Sequence, residues 1–378
     1  MIVGIDASRA ARPQRTGTEA YARRLITALI EHTRGKGHQL RLYFNERPTP
    51  GLFPVADHVR LLVIPFPRLW THLRLAWELA RRSPDVFFTP AHVIPLSFRG
   101  PSVATVHDLG YEFFPQAHTG SQLRYLRWST RHNARQGRFV IADSEATRDD
   151  LIKLYAVPAD KIRVVYPALP SPLSPVTDRA LLTAAAHKYG LTAPYLLYLG
   201  TLQPRKNLVR LVEAYASLWE MQPEPPPQLV LAGRAGWETD GITSAIESLP
   251  AGVREQVVLP GFVDDTDKAA LISGATALLF PSLYEGFGFP VLEGFACDTP
   301  VLASRNSSLP EVGGQAALLV EAEDSDDIAD GMKRLLTDAA LREWLVLRGR
   351  EQLQRFSWKQ AAAQVWDCLE AAARTAKK

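Results

Sequence analysis

The sequence of 378 residues is poor in the features that mark membrane and secreted proteins. No apolar run approaches the roughly 20 residues that a membrane-spanning helix needs, which excludes a transmembrane class. The N-terminus, MIVGIDASRA, has no basic leader and carries Asp6 within its apolar stretch, so we interpret it as a buried strand and not as a signal peptide. The two cysteines, Cys297 and Cys368, cannot form a disulfide framework. A reducing, cytoplasmic environment is therefore expected.

Two chemical signatures are also missing. A nicotinamide dehydrogenase would need a G-x-G-x-x-G run after a strand and an acid about 20 residues later, and the sequence has no such run. No Asp-x-Asp stands at a strand end as a ligand for a diphosphate-bound metal, and Asp264 and Asp265 follow a turn, where we predict a helix cap. We therefore expect neither a metal nor another cofactor. No nucleic-acid-binding motif accompanies the basic residues, so a nucleic-acid partner is not expected.

Charge is distributed unevenly along a chain whose net charge is only +3. Residues 1–170 contain 24 Lys+Arg and 14 Asp+Glu, whereas the remainder contains 19 and 26. A basic first half favours an anionic surface or substrate as its partner. A chance bias of the surface is the alternative.

Short apolar runs alternate with helical patterns along the whole chain. Runs such as RFVIADS and IRVVYP in the first half, and YLLYLG and QLVLAG in the second, are typical of buried strands. Helices are predicted between strands, for example at Ala20–Glu31, Leu69–Arg82 and Gln122–Gln136. This alternation indicates an α/β fold with two Rossmann-like, doubly wound parallel sheets.

The segment YPALPSPLSPVTD, Tyr166–Asp178, contains four prolines and is predicted to be a linker. We expect an N-terminal domain at 1–170 and a C-terminal domain at 171–355. Residues 356–378 form a predicted helix with one apolar face, which we expect to pack back on the N-terminal domain. Two such sheets would face a central cleft, because ligands of open parallel sheets bind at the carboxyl ends of the strands.

A glycine turn follows the predicted strand ATALLF. Gly286 and Gly288 permit a tight turn, and Pro290 suits the first turn of a helix, which together predict an anion site at a helix N-terminus. Glu285 and Glu293 flank this turn. Carboxylates would repel a phosphate, so we expect these two to accept hydrogen bonds from hydroxyl groups. A ligand that carries both phosphates and hydroxyl groups is a nucleotide sugar. The alternative is a helix cap beside a solvated charge.

Two cations stand where a helix is predicted to start. Arg205 and Lys206 follow the strand YLLYLG and precede a helix that opens near Asn207. Cations at a helix start oppose the helix dipole by about 0.3–1 kcal/mol, so helix stability does not explain them. They suit a diphosphate, which Arg binds with its planar fork and Lys as a point charge. Two solvated surface charges are the alternative.

Several segments together resemble a known family. GTLQPRKN, LVLAGRAGW, LPGFVDD and YEGFGFPVLEGFACDTPVLAS with SSLPEVGGQAALLV are similar, in order, to the retaining glycosyltransferases of family 4, which have the GT-B fold. IDASR, TGTEAYARRL, TVHDL and SEATRDDL resemble the family more loosely. Within it, TVHDL with YLGTLQPRKN most resembles bacterial mannosyltransferases of surface polysaccharide synthesis.

The resemblance implies that the N-terminal domain binds the acceptor and the C-terminal domain binds the nucleotide sugar, and it implies roles for single residues. Glu285 would bind hydroxyls of the donor sugar, Glu293 the ribose, and Arg205 and Lys206 the leaving diphosphate, while His107 would lie beside the anomeric carbon. The remaining implied contacts to the donor are Gly17, Gly200, Thr201, Phe262, Val263, Gly286, Phe287 and Gly288. Many relatives carry an arginine where this chain has Thr201, so Arg205 and Lys206 must supply the cations, or another residue must join them. A histidine at a strand end is otherwise a structural hydrogen-bonding group, and Asp108 would orient His107 in either role.

The implied function is a retaining, metal-independent transfer of a hexose, with mannose favoured, from a nucleotide-diphosphate sugar. GDP-mannose is the favoured donor and a UDP-sugar the alternative. The acceptor would be a saccharide or a lipid-linked saccharide, in polysaccharide or glycolipid synthesis. A soluble-acceptor transferase like sucrose or trehalose synthases, or a non-catalytic nucleotide-sugar-binding subunit, remains open.

A stripe of arginines indicates a second partner. Helical spacing places the arginines of residues 122–138 within one arc, and these are Arg124, Arg127, Arg131, Arg135 and Arg138. Such a face favours contact with anionic lipid at the inner surface of the cell membrane. For the neighbouring tryptophans Trp70 and Trp77, the spacing favours packing in the core instead.

Overall fold

The computed structural model describes residues 1–11 and 17–374. The chain divides into two compact units. The N-terminal unit contains Met1–Ser171 together with the chain from Phe356 onward, and the C-terminal unit is Pro172–Arg355. The polypeptide therefore crosses twice between the units.

The N-terminal unit is built on a parallel sheet. Among the described residues the sheet has seven strands in the order β3-β2-β1-β4-β5-β6-β7. The strands are β1 (Ile2–Asp6), β2 (Gln39–Phe44), β3 (Val59–Val63), β4 (Val86–Thr89), β5 (Ser102–Val106), β6 (Phe139–Ala142) and β7 (Ile162–Val164). β4 and β5 are buried along their whole length, as expected of strands covered on both faces, while the edge strand β3 exposes Leu61 and Val63.

Helices cover both faces of this sheet. The helices between its strands are α1 (Gly17–Thr33), α2 (Ala76–Arg81), α3 (Gly110–Phe113), α4 (Gly120–Gln136) and α5 (Glu145–Tyr155). α4 begins with a capping box, in which Thr119 and Gln122 each satisfy the backbone N–H of the other. Ser144 caps α5 by accepting from the Thr147 N–H at 3.0 Å.

The C-terminal unit has the same construction. Its described residues form a six-stranded parallel sheet in the order β10-β9-β8-β11-β12-β13. The strands are β8 (Tyr195–Leu199), β9 (Gln228–Ala232), β10 (Val257–Val258), β11 (Ala277–Phe280), β12 (Val301–Ser304) and β13 (Ala317–Val320). The helices are α6 (Arg179–Lys188), α7 (Leu208–Glu220), α8 (Asp240–Glu247), α9 (Ala251–Arg254), α10 (Lys268–Gly274), α11 (Phe289–Ala296), α12 (Leu309–Gly313), α13 (Ser325–Thr337) and α14 (Ala339–Leu353). The prediction of two doubly wound parallel sheets is confirmed.

The last described helix, α15 (Trp358–Arg374), belongs to the N-terminal unit. Its apolar face, including Val365, Trp366 and Leu369, is buried in the same hydrophobic core as Leu25 and Leu29 of α1. The Trp358 Nε1–H donates to the Leu169 carbonyl at 2.8 Å. Each fully buried side chain of this kind contributes about 1.5–3 kcal/mol relative to exposure, so α15 is an integral part of that core.

The prediction of a regular helix over Leu69–Arg82 is wrong for its first turn and for the face that it buries. Leu69 has a φ of +54°, Thr71–Leu75 form a π-helical turn, and α2 follows. The core prediction holds for Trp70 but fails for Trp77, which is 51% exposed. Thr71, Leu75 and Leu79 are buried instead, a stripe of the same helical spacing that is shifted by two residues from the predicted one.

No helix in residues 1–11 and 17–374 combines the length and the apolar composition needed to cross a membrane.

Candidate functional site

Two cations and one carboxylate form a buried ion cluster at the ends of β8 and β11. Arg205 and Lys206 lie on a short 3-10 turn, Pro204–Lys206, that follows β8, and Glu285 lies in the loop after β11. Lys206 Nζ donates to Glu285 Oε1 at 2.5 Å, and an Arg205 terminal nitrogen donates to Glu285 Oε2 at 2.8 Å. The same Arg205 nitrogen donates to the Tyr284 carbonyl at 2.5 Å. The three side chains therefore share one position at the carboxyl edge of the sheet.

The cluster carries more positive than negative charge. Burial alone would raise the pKa of Glu285. The positive charges of Lys206 and Arg205 lower this pKa by more than burial raises it, so it lies below the ordinary 4.5. Lys206 also lies 4.8 Å from the centre of the Phe280 ring, a favourable cation–π distance. With Glu285 ionised, two cations face one anion, so the cluster can attract a further anion. The Glu285 carboxylate can also accept hydrogen bonds from hydroxyl groups of a ligand.

The glycine turn beside this cluster has the geometry that the sequence indicated. Gly288 has a φ of +107° and precedes α11, whose first turn contains Pro290. A Cβ at Gly288 would lie 2.6 Å from Leu309 Cδ2, so both the backbone angle and the space require glycine. The backbone N–H groups at the start of α11 therefore stand next to Glu285 in the chain.

Two serines that the sequence analysis assigned no role hold this turn. The Ser308 hydroxyl lies 3.0 Å from the Glu285 carbonyl and 2.7 Å from the Phe287 carbonyl and donates to them. The Glu285 N–H donates to Ser307 Oγ at 3.0 Å. Both residues follow β12 in the segment SSLPEVGG, which the family resemblance included, but neither serine carries a charge that would have indicated a role.

Asn207 connects these loops by side-chain hydrogen bonds. It is buried and has a φ of +62°, a left-handed conformation that Asn tolerates better than most residues. Its Nδ2 donates to the Pro281 carbonyl at 3.0 Å and to the Ala322 carbonyl at 2.5 Å. The loops after β8, β11 and β13 are thereby fixed to one side chain, and α7 starts at Leu208, one residue after it.

Glu293 is buried on α11 and pairs with a lysine that the sequence analysis missed. Lys268 Nζ, at the start of α10, donates to Glu293 Oε1 at 2.5 Å. Asp264 and Asp265 do not cap this helix, because its N-cap is Asp267 and makes no side-chain cap bond. Asp264 instead accepts from Lys188 Nζ at 2.8 Å, so the predicted cap is wrong.

Four further residues of the predicted donor set lie on loops of the C-terminal unit, namely Gly200, Thr201, Phe262 and Val263. Gly200 follows β8. A Cβ added to Gly233 would lie 1.8 Å from the carbonyl oxygen of Gly200, so the loops after β8 and β9 approach each other closely. Thr201 is exposed, and Val263 is buried. Phe262 is half-exposed, and the Arg234 guanidinium, another missed group, lies 4.2 Å from its ring centre.

His107 lies in the N-terminal unit, at the end of β5. Its Nδ1 is 2.6 Å from Asp143 Oδ2, at the end of the neighbouring strand β6. Asp108 does not orient it, since Asp108 Oδ1 accepts from the Gly110 N–H at 2.8 Å. Burial lowers the pKa of His107, but the charge of Asp143 and its hydrogen bond raise it, and the net pKa is raised. A carboxylate of this kind fixes the tautomer and favours the imidazolium.

Gly17 is exposed and is the first described residue of α1. Thr16, which is part of the TGTEAY motif, lies outside the described residues.

The structure thus joins Arg205, Lys206, Glu285 and the glycine turn in one cluster. Within the part of the chain that the structure describes, no three His, Cys, Asp or Glu side chains group as a metal site would require.

Known proteins share both sequence and fold with this chain. The family profile described as Glycosyltransferase Family 4 matches residues 16–170, and the profile described as Glycosyl transferases group 1 matches residues 184–352. The O-antigen chain mannosyltransferase B of Escherichia coli is 33% identical over 305 residues, which are 80% of this chain and 78% of that protein.

Two solved structures share the fold. Sucrose-phosphate synthase from Thermosynechococcus elongatus superposes with a TM-score of 0.73 at 22% identity, over 98% of this chain and 99% of that one. Anabaena Alr3699/HepE in complex with UDP-glucose superposes with a TM-score of 0.70 at 18% identity, over 98% and 99%.

The two parallel-sheet units and these likenesses define a GT-B fold. The chain belongs to glycosyltransferase family 4, as both family profiles and the mannosyltransferase relative show. It is a glycosyltransferase, and its relatives support hexose transfer in polysaccharide synthesis.

Removal of the Ser308 hydroxyl should impair transfer more than it impairs folding. Ser308→Ala removes the hydroxyl from which the Glu285 and Phe287 carbonyls accept, which costs about 1–3 kcal/mol of stability and loosens the turn. We expect kcat to fall about tenfold. Thermal unfolding and steady-state transfer kinetics measure the two effects.

Thr299→Val is the matched control, because Thr299 is equally buried and donates to the Ile272 carbonyl at 2.7 Å away from the turn. It should lower the melting temperature similarly and leave kcat unchanged. Equal loss of kcat in both variants would show that Ser308 has no positioning role.

Proposed function

We propose that this glycosyltransferase moves a hexose, preferentially mannose, from a nucleotide-diphosphate sugar to a saccharide or lipid-linked acceptor in surface polysaccharide or glycolipid synthesis. The ion cluster of Arg205, Lys206 and Glu285 beside the glycine turn is the observation that supports donor binding most directly. Similarity to an O-antigen chain mannosyltransferase supports the choice of mannose and the kind of product. GDP-mannose is the proposed donor, with a UDP-sugar as the alternative.

In the proposed reaction, the bond between the sugar C1 and the diphosphate oxygen breaks while C1 bonds to the acceptor oxygen on the same face. The departing phosphate oxygen takes the acceptor proton, so the anomeric configuration is retained and no metal takes part. Arg205, Lys206 and the start of α11 stabilise the charge that develops on the diphosphate, because preorganised positive groups act strongly where water is excluded. Glu285 accepts hydrogen bonds from sugar hydroxyls.

The nucleoside end of the donor has its own proposed contacts. Glu293 is held by Lys268 in one orientation and would accept from the ribose hydroxyls. The exposed Phe262 ring with the Arg234 guanidinium above it offers a flat surface suited to a base. His107, held by Asp143, would contact the transferred sugar.

A ligand screen tests the donor proposal. Thermal unfolding of the protein with GDP-, UDP- and ADP-linked sugars should show the largest stabilisation with GDP-mannose, by about 2.7 kcal/mol at one hundred times its dissociation constant. The best donor is then assayed in excess EDTA, with the product anomer read by NMR. Loss of activity in EDTA or an inverted anomer would contradict the metal-free, retaining reaction, and no stabilisation by any nucleotide sugar would contradict the function itself.

The two glutamates should separate turnover from nucleotide binding. Glu285→Gln removes the negative charge between two cations, so kcat should fall about 100-fold while affinity for the free nucleotide diphosphate stays equal or rises. Glu293→Gln should weaken free-nucleotide binding by about 1–3 kcal/mol through lost charged hydrogen bonds. Titration calorimetry and steady-state kinetics measure both, and equal nucleotide affinity in wild type and Glu293→Gln would refute the ribose assignment.

We also propose a membrane-facing surface, at a different place from the arginine stripe. Arg127 of that stripe pairs with Glu112 at 2.7 Å, and Arg138 lies beyond the end of α4. The exposed Trp77 has the guanidinium groups of Arg74 and Arg81 at 4.9 and 5.3 Å from its ring centre, and of these two Arg74 is also 3.5 Å from Glu78. With Leu69 and Leu73, exposed on the preceding turns, these residues form the Trp77 surface, whose mixture of apolar and basic groups suits anionic lipid.

Flotation with anionic vesicles tests this surface. Trp77→Ala should reduce the vesicle-bound fraction of the protein at least about fivefold at physiological salt. The change removes both the ring that would insert into the lipid and the surface on which the two arginines stack. Trp344→Ala is the matched control, since Trp344 is also exposed and stacked with an arginine, Arg348, but lies in the C-terminal unit. Equal binding by wild type and Trp77→Ala, or equal losses in both variants, would remove the proposal.

A further inference from the structure

Lys206 is a buried cation that contacts an aromatic ring. The residue is 9% exposed, and its Nζ donates to Glu285 Oε1 at 2.5 Å. The same Nζ lies 4.8 Å from the centre of the Phe280 ring, and Phe280 is only 1% exposed. A lysine in such a place has lost most of its water, so groups of the protein must stabilise its charge instead.

This cation–π contact differs from those on the surface of the molecule. The rings of Trp77, Phe262 and Trp344, which face arginines, are 51%, 52% and 42% exposed. Lys206 and Phe280 are both excluded from water. Because the attraction between a cation and a ring is electrostatic, it is stronger where both are desolvated. The Phe280 ring therefore replaces part of the stabilisation that water would give to the Lys206 ammonium.

A second ring fixes the orientation of Phe280. The ring of Tyr198, on the adjacent strand β8, lies nearly parallel to it, with 6.4 Å between the ring centres and 11° between the planes. Tyr198 is fully buried, and its hydroxyl donates to the Thr201 carbonyl at 2.9 Å. Burial raises the pKa of Tyr198 and the charge of Glu285 raises it further, so this hydroxyl stays protonated. Phe280 cannot turn without displacing a ring that is itself held by a hydrogen bond.

The chain next to both partners is fixed as well. Phe280 is the last residue of β11, and the carbonyl of the next residue, Pro281, accepts from Asn207 Nδ2 at 3.0 Å. Asn207 directly follows Lys206 in the sequence. One hydrogen bond thus joins the two segments that carry the ring and the ammonium, and it limits how far they can separate.

A ring stabilises a cation in a way that a carboxylate cannot. A second carboxylate beside Lys206 would cancel the remaining positive charge of the ion cluster. The face of a neutral ring attracts the ammonium and leaves its charge in place. An aliphatic side chain at position 280 would also leave the charge but would offer the ammonium no such attraction. Phe280 therefore combines two properties that suit an anion site, a stabilised cation and an excess of positive charge.

We propose that Phe280 is a positioning residue of the donor site, whose ring holds the Lys206 ammonium in place and leaves its charge available to a diphosphate. This assignment rests on the proposed function, because it concerns the cation that would face the leaving group. Phe280 acts through Lys206 and does not itself contact the donor. The charge that develops on the diphosphate would then meet a cation that needs no reorganisation.

Fluorination of the ring tests the proposal, because fluorine withdraws electrons from the ring face and changes the size of the ring little. Phe280 is replaced in the full chain by mono-, di- and trifluorophenylalanine. Titration calorimetry then measures the affinity for inorganic pyrophosphate, a probe that carries neither base nor sugar. A ring that attracts the ammonium less lets it move out of the position in which it meets the anion. The dissociation constant should therefore rise with each fluorine, to about tenfold with three, at a nearly constant melting temperature.

Transfer kinetics give a second measurement on the same variants. With the best donor, kcat should fall in parallel with the affinity for pyrophosphate, and the acceptor KM should stay within about twofold. Residues that only fill the core would change the melting temperature without this graded loss.

Phe87 is the matched control. It is also a fully buried strand residue and contacts an aromatic ring, that of Phe98, at 5.5 Å, but it lies in the N-terminal unit. The same fluorinated residues at this position should leave the affinity for pyrophosphate within about twofold of the wild type, because the ring faces no part of the ion cluster.

Three outcomes would overturn the assignment. They are an unchanged or lower dissociation constant throughout the Phe280 series, equal losses at Phe87, and no binding of pyrophosphate to the wild type. A different result would separate this inference from the proposed function. If pyrophosphate binding weakens along the Phe280 series but no nucleotide sugar stabilises the protein, the proposed function fails and the role of the ring in anion binding stands.

Discussion

One buried carboxylate determines how the C-terminal unit presents its charged groups. Glu285 is shared by Arg205 and Lys206, which lie 80 and 79 residues away in sequence but at the end of the adjacent strand. Breaking a buried ion pair by removing one partner costs about 3–5 kcal/mol, because the other charge stays desolvated. The loops after β8 and β11 are therefore held together by a contact that neither loop could make alone. The hydrogen bonds of Asn207, Ser307 and Ser308 fix the backbone around it.

The order of strands explains why these residues meet. β8 and β11 are neighbours, β12 pairs with β11 on its other side, and all three are parallel. Their carboxyl ends consequently stand in a row, and the loops that follow them carry the cations, the glycine turn and the two serines.

The architecture was predictable because it depends on local patterns. Buried parallel strands read as short apolar runs. Helix α1 extends three residues before and two after its predicted bounds, and α4 starts two residues earlier than predicted and ends at the predicted residue. Pro290 and Gly288 have the backbone roles that their chemistry requires. The partners of the charged residues could not be predicted in this way. Lys268, Asp143 and Arg234 are far in sequence from Glu293, His107 and Phe262, and only the three-dimensional arrangement selects them. Trp77 was misplaced because two stripes of helical spacing fit this segment, and the fold buries Thr71, Leu75 and Leu79 and exposes the stripe that contains Trp77.

The position of α15 in the chain has a consequence for synthesis. The core of the N-terminal unit includes Val365 and Leu369, yet these residues are translated after the whole C-terminal unit. At roughly 5–20 residues per second, the ribosome needs about 10–40 s to make the intervening segment, and during that time the first-made sheet lacks its covering helix. Nascent chains of this protein therefore expose an apolar groove that only the last helix can fill, and chaperone binding would be most valuable in that interval.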